Sequence, residues 1–475
     1  MKVSLVKIAF TALMVSGISA HPTKELERRD LISNIDDIVN STIDNGEAHK
    51  DNAKSAITDI FDKINDGIKQ DIDNLKEVGK SIADLIKSVV PTEDLSTPEG
   101  VQAYLGQLFE NGEDLFKNSI DMVGHGLKPG SIAGNFEGFS DEINTSDNFN
   151  VKEPEGSVYP QAESEDPSFS LSEEQLRSAI QIPEEFQYGN GSKSPVILVP
   201  GTGSKGGMTY ASNYAKLLKE TDFADVVWLN VPGYLLDDAQ NNAEYVAYAI
   251  NYISGISNNK NVSIISWSQG GLDTQWALKY WASTRSKVSD FIPISPDFKG
   301  TRMVPVLCPS FPKLSCPPSV LQQEYNSTFI ETLRADGGDS AYVPTTSIYS
   351  GFDEIVQPQS GKGASGLIND NRNVGVTNNE VQTICPDRPA GKYYTHEGVL
   401  YNPVGYALAV DALTHEGPGQ LSRIDLDTEC GRIVPDGLTY TDLLATEALI
   451  PEALVLILSY DDKTRDEPEI RSYAQ

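Results

Sequence analysis

Basic residues are scarce in this chain. Lys and Arg number 37 against 68 Asp and Glu, a net charge of −31 over 475 residues. Nucleic acids and anionic membranes are recognised by clustered positive charge, so the balance argues against both as partners. Histidine is scarcer still, with five in all, and the four cysteines include no CxxC pair. A zinc site is therefore not expected, nor any other metal or cofactor. Long apolar runs are also lacking. Ile8 to Val15 is a short apolar stretch, whereas spanning a bilayer takes roughly 18 or more apolar residues. With Lys2 and Lys7 flanking its start and Ala20 after it, this stretch reads as a signal peptide over residues 1–20 and not as an anchor. Arg28-Arg29 is a candidate processing site, which would make 21–29 a propeptide.

Export gives the few cysteines a purpose. An even set, Cys308, Cys316, Cys385 and Cys430, in an exported chain favours two disulfides. Asn-x-Ser/Thr sequons at Asn40, Asn144, Asn190, Asn261 and Asn326 fit secretory passage and glycosylation. The expected location is extracellular, without stable membrane anchoring.

Three textures divide the chain. Residues 30–127 read as helical. Phe61, Ile64, Ile68, Ile72, Leu75, Val78, Ile82, Leu85 and Val89 recur every three or four positions until Pro91, one amphipathic stripe. Residues 128–174 are rich in Gly, Asn, Ser, Glu and Pro and read as an exposed linker. Beyond it, apolar runs at Val196–Val199, Asp225–Leu229, Val262–Ile265, Phe291–Ile294 and Thr345–Tyr349 alternate with helical stretches at Tyr210–Glu220, Ala239–Ile253 and Leu272–Trp281. That alternation predicts an α/β domain over 175–475, a mostly parallel sheet covered on both faces. Its chemistry should lie in loops at the carboxyl ends of the strands.

The third run leads into Ser266-Trp-Ser268-Gln-Gly270-Gly271 and then a helix. A serine at the apex of a strand–turn–helix needs small residues two before and two after it, because larger ones would collide with the strand or the helix. Ser266 and Gly270 qualify, although glycine is usual at the first position. Ser268 is thus the candidate nucleophile, and it needs a base oriented by an acid. His21, His49 and His125 precede it. His396 and His415 follow, as the chain order Ser, Asp, His requires. His415 ends a helical stretch, where a cation meets the negative end of the dipole, so His396 is preferred. Asp353 follows the fifth run and is the preferred acid, with Glu354 and Asp297 as alternatives. The oxyanion calls for two backbone N–H groups. Gln269 offers one, the Gly201-Thr202-Gly203 loop another, and the Thr202 hydroxyl a third donor.

Residues from about 190 to 460 resemble the yeast lipase B family. The resemblance rests on Leu198-Val-Pro-Gly-Thr-Gly203, Trp267-Ser-Gln-Gly-Gly271, Pro296-Asp-Phe-Lys-Gly-Thr301, Pro318-Ser-Val-Leu-Gln-Gln323 and Asp353-Glu-Ile-Val-Gln-Pro358. It implies an α/β-hydrolase with Ser268, Asp353 and His396 as triad and Thr202 and Gln269 as oxyanion hole. It further implies that Trp267, Asp297, Gln323, Ile355 and Val356 sit near a narrow acyl pocket. Cys385 would pair with Cys430, leaving Cys308 with Cys316. The loop from Val304 to Pro318 departs from the family pattern, and the first 150 or so residues have no counterpart in it. The expected activity is hydrolysis of carboxylic esters, lipids foremost, through an acyl-enzyme. The alternatives are an esterase for soluble or polymeric esters and an inactive hydrolase-fold binding protein.

Overall fold

The structure, a computed structural model, describes residues 97–103, 141–304 and 315–475, apart from 448, 451–452, 454–455 and 458–459. The signal peptide, Arg28-Arg29, most of the 30–127 helical segment, His21, His49, His125, Asn40 and Cys308 lie outside the described residues. Among the described residues no helix is long and apolar enough to cross a membrane.

Seven strands form one sheet: β1 (Ile180–Gln181), β2 (Ser194–Val199), β3 (Ala224–Leu229), β4 (Val262–Trp267), β5 (Val288–Ile294), β6 (Thr345–Tyr349) and β7 (Val376–Glu380). Their order is β1-β3-β2-β4-β5-β6-β7. β1 runs antiparallel to β3, and every other pairing is parallel. The five expected strands are all present, and β1 and β7 are additions. A strand residue faces alternate sides, and the side chains sort accordingly. Val196, Leu198, Ile265 and Trp267 enter one buried apolar cluster, while Ile197, Val199, Ile264 and Phe291 enter a second one on the opposite face.

Helices α1 (Glu173–Ser178), α2 (Tyr214–Lys219), α3 (Ala239–Ile256), α4 (Gln269–Tyr280), α5 (Pro318–Gln322), α6 (Pro403–Thr414) and α7 (Tyr440–Glu447) complete the layers. Leu176 of α1, Ile250 of α3 and Trp276 of α4 pack on the second face, and Leu218 of α2, Leu408 of α6 and Leu443 of α7 on the first. Caps set the starts of two helices, the first of them inside the stretch expected over Tyr210–Glu220. Asn213 accepts a hydrogen bond from Tyr214 N and starts α2 afresh after Gly206–Tyr210. Asn402 accepts from Gly405 N, with Pro403 at the first helical position, and so divides α6 from the 3-10 turn Gly398–Tyr401.

Part of the stretch expected as an exposed linker, 128–174, is packed: Phe149 and Val151 are exposed, whereas from Val158 onward the chain docks on the helical layer. Phe169 is buried and stacks on Trp281 with centroids 5.7 Å apart. The Glu244 carboxylate, inside α3, accepts from Ser170 N at 2.8 Å, Leu171 N at 3.1 Å and Ser170 Oγ at 2.7 Å. Asp166 accepts from Ser283 N at 3.1 Å. One aromatic side chain and a few satisfied backbone donors bind a polar stretch to the sheet's helical layer, which average composition does not reveal.

The expected bridge Cys385–Cys430 is present, closing a 45-residue separation. Cys316 is also disulfide-bonded. The Cys385–Cys430 loop contains His396 and all of α6. Replacing both cysteines with serine should lower unfolding stability by roughly 4 kcal/mol, the chain-entropy value for a loop of this length. Denaturant melts of the two proteins check this.

Candidate active site

At the centre of the sheet β4 ends at Trp267 and α4 begins at Gln269, leaving Ser268 alone in the turn. Its backbone sits at φ 54° and ψ −131°, a region that side-chain-bearing residues rarely enter and that costs of order 1–3 kcal/mol. Surrounding glycines make the turn sterically feasible. A Cβ on Gly270 would lie 2.4 Å from the Pro200 carbonyl oxygen, and one on Gly201 would lie 2.8 Å from Ser268 Cβ. The Gly201-Thr202 loop is thus pressed directly against the serine. Ser266 is wholly buried beneath the turn, and a Cβ on Gly271 would come 3.4 Å from its Oγ. The room for the usual glycine therefore takes serine without a clash.

His396 and Asp353 arrive from later loops. His396 Nδ1 lies 2.7 Å from Asp353 Oδ2, with both residues buried. The other Asp353 oxygen accepts from Ile355 N at 3.0 Å and Val356 N at 2.7 Å, which fixes the carboxyl plane. The His396 backbone is held on both sides. Its N–H donates to Glu354 Oε2 at 2.8 Å, and its carbonyl accepts from Ser295 Oγ at 2.9 Å and Trp267 Nε1 at 3.2 Å. Of the three candidate acids, then, Asp353 meets the imidazole ring and Glu354 meets the histidine backbone. Asp297 is buried, and its carboxyl makes no hydrogen bond to the imidazole ring or to another side chain among the described residues. The residues leading into His396, Tyr393 to Thr395, belong to neither strand nor helix. His415, at the end of α6, is half-exposed and lies 3.1 Å from Asp411.

Burial works against a charged His396. Attraction to Asp353, their hydrogen bond, and the further carboxyls of Glu354 and Asp297 outweigh it and hold the imidazole above its ordinary 6.5. Burial pushes the Asp297 carboxyl up to about 7, opposed by a backbone hydrogen bond and by His396. A raised histidine pKa means that the neutral base is lost earlier as pH falls. The acid limb of kcat/KM should have its midpoint above 6.5, and Asp353→Asn should move it downward. A pH–rate profile of both proteins checks this.

Ser268 and His396 line one cleft with Thr202, Trp267, Gln323, Ile355 and Val356. Asp353 stands behind His396, out of the cleft, and Asp297 is likewise absent from its lining. The single proton of the Thr202 hydroxyl has two acceptors within reach, Gln269 Oε1 at 2.7 Å and Gln323 Oε1 at 2.9 Å, and Gln323 Nε2 donates to Gln269 Oε1 at 2.9 Å. Sequence reasoning missed Thr301, Val304, Val320, Ile450, Ala453 and Ile457, which complete the wall. Thr301 and Val320 fall inside the segments that carried the resemblance. Ile450, Ala453 and Ile457 recur at helical spacing in an apolar stretch interrupted by Pro451, and that spacing was the available signal.

A serine elbow at the end of a central parallel strand, with a histidine–carboxyl pair from later loops, defines an α/β-hydrolase. Comparison with known protein-family models finds none that matches. Lipase B of Pseudozyma antarctica is 33% identical over 318 residues, covering 65% of this chain and 87% of that protein. The crystal structure of Aspergillus fumigatus lipase B superposes with a TM-score of 0.77 at 43% identity, covering both chains completely. The chain belongs to the lipase B family and is a carboxylic ester hydrolase.

Proposed function

We propose that the chain is a secreted lipase whose Ser268 attacks the ester carbonyl while His396, held by Asp353, takes the hydroxyl proton. The observation that carries this reading is the His396–Asp353 pair meeting the Ser268 elbow at one cleft. His396 then returns the proton to the leaving alcohol, and water releases the acyl group by the same route. The backbone N–H of Gln269 and the Thr202 loop stabilise the oxyanion, and the Thr202 hydroxyl turns from Gln269 Oε1 toward it. The acyl chain lies against Val304, Val320, Ile355, Val356, Ile450 and Ile457, an apolar lining suited to a fatty or other hydrophobic acid. Trp267 and Gln323 border the same space, and Asp297 adds its charge near His396. Secretion is supported by the amino-terminal signal pattern and by the disulfide, which forms in oxidising compartments.

A panel of p-nitrophenyl esters and emulsified triglycerides tests the assignment. Hydrolysis of both, rising at the oil–water interface, is the expected result. Activity confined to dissolved esters would redefine the enzyme as a soluble-ester esterase.

A further inference from the structure

Behind His396 lies a group of carboxyls that the triad does not use. Glu397, the residue after the histidine, is fully buried, and neither of its side-chain oxygens has a donor among the described residues. Its side chain instead lies beside two other buried carboxyls, Glu354 and Glu447, close enough that each opposes the others' charge. Carboxylates offer only acceptors and repel one another, so a buried group of three stays together only if it carries protons. Among the described residues no group of His, Cys, Asp or Glu could hold a metal ion, which leaves protons to relieve the charge.

The chain has a direction. Glu354, beside Asp353, accepts the His396 backbone N–H. Glu397 links it to Glu447, the last residue of α7. Glu447 accepts from Thr395 Oγ1 at 3.0 Å and from the Tyr401 hydroxyl. Three residues beyond Glu447, Ile450 lines the cleft. The carboxyls thus connect the acid loop, the histidine loop and the helix that leads into the pocket wall.

Resting on the hydrolase reading above, we propose that Glu397 is a positioning residue: the proton-bearing middle of a Glu354–Glu397–Glu447 chain that clamps the His396 loop to α7 and releases it when alkaline pH strips the chain of a proton. The groups facing it are Glu354 and Asp353 from the loop after β6, His396 and Tyr394 from its own loop, Tyr401 from the 3-10 turn, and Glu447 from α7; Asp297 adds its charge near His396. Burial, reinforced by mutual repulsion, drives all three glutamates upward from 4.5: Glu354 to about 7, Glu447 to about 8, and Glu397 well above the ordinary range. The unfolded chain releases these protons near 4.5 and the folded one keeps them, so their contribution to stability declines as pH rises from there through the folded values. The native clamp itself ionises only at the upper end of that window.

The test uses full-length wild type, Glu397→Gln and Glu397→Leu. It measures kcat and KM on a soluble p-nitrophenyl ester across pH, together with the low-field proton NMR signal of the His396–Asp353 hydrogen bond. Wild type should lose kcat reversibly above about pH 8 with little change in KM, the NMR signal shifting or broadening over the same range. The glutamine amide can donate to both neighbouring carboxylates whatever their charge. Glu397→Gln should therefore stay within about threefold of wild type near neutrality and move the alkaline midpoint up by about one unit or more. Glu397→Leu breaks the clamp and should lower kcat at least about tenfold at every pH. Superimposable profiles for wild type and Glu397→Gln, or a wild-type profile flat to about pH 10, would overturn the proposal. Absence of ester hydrolysis at every pH would count against the hydrolase reading, and the NMR titration would still report whether the clamp moves His396.

Discussion

Ser268→Ala should lower ester turnover about a million-fold, the loss seen when a triad nucleophile is removed from a serine hydrolase. The size follows from non-additivity. Without Oγ there is no acyl-enzyme, and His396 and Asp353 have nothing to activate. What survives is catalysis by the oxyanion donors and by binding alone. The variant should fold normally, because alanine removes one oxygen and leaves the elbow intact. A fluorophosphonate probe should label the wild type and leave Ser268→Ala unmarked. Labelling of the alanine protein at the wild-type rate would remove Ser268 from the mechanism. His396→Ala should be comparably inactive. His415→Ala should keep most of its activity, since that ring is engaged with Asp411 outside the cleft.

Asp353→Asn should cost about ten-thousand-fold in kcat while leaving the fold and KM nearly unchanged. Asp353 Oδ2 sits at the Nδ1 side of His396, so the proton-bearing nitrogen faces the acid and the free nitrogen is available to serine. An asparagine NH2 in that place favours the opposite tautomer, which has no lone pair for the nucleophile. Glu354→Gln is the contrasting case. Glutamine still accepts the His396 backbone N–H, so its cost near neutrality should stay below about tenfold. Single-turnover kinetics on both variants separate the two roles. A Glu354→Gln defect as deep as that of Asp353→Asn would exchange the acid assignment.

The parts of the fold visible in the sequence are those whose cause is local. Val196–Val199 and Val262–Ile265 are short β-branched runs buried on both faces, and such runs identify themselves. β7, Val-Thr-Asn-Asn-Glu, has one buried side chain in five and reads as a loop until β6 is seen beside it. β1 is two residues long and exists through its pairing with Leu229 and Trp228. The same division runs through the site. Ser268 was legible because its elbow has a strict steric signature, and chain order reduced the histidines to two. The Glu354–Glu397–Glu447 contacts were not legible: each is one acid among 68, and proximity is created by the folding of α7 against the histidine loop. Glu244 was hidden in the same way, its partners Ser170 and Leu171 lying 74 and 73 residues upstream.

The distances in sequence that the site bridges also govern when it comes into being. Trp267, next to the nucleophile, meets the His396 carbonyl across 129 residues. At about 5–20 residues per second of synthesis, roughly ten seconds pass between the emergence of serine and that of its base. The bridge that closes the histidine loop waits longer still, for Cys430. A nascent chain therefore carries an ordinary, unreactive serine until the histidine loop has emerged and folded. Hydrolytic power arrives only after His396 has followed Ser268 out of the ribosome, so a half-made chain cannot attack an ester.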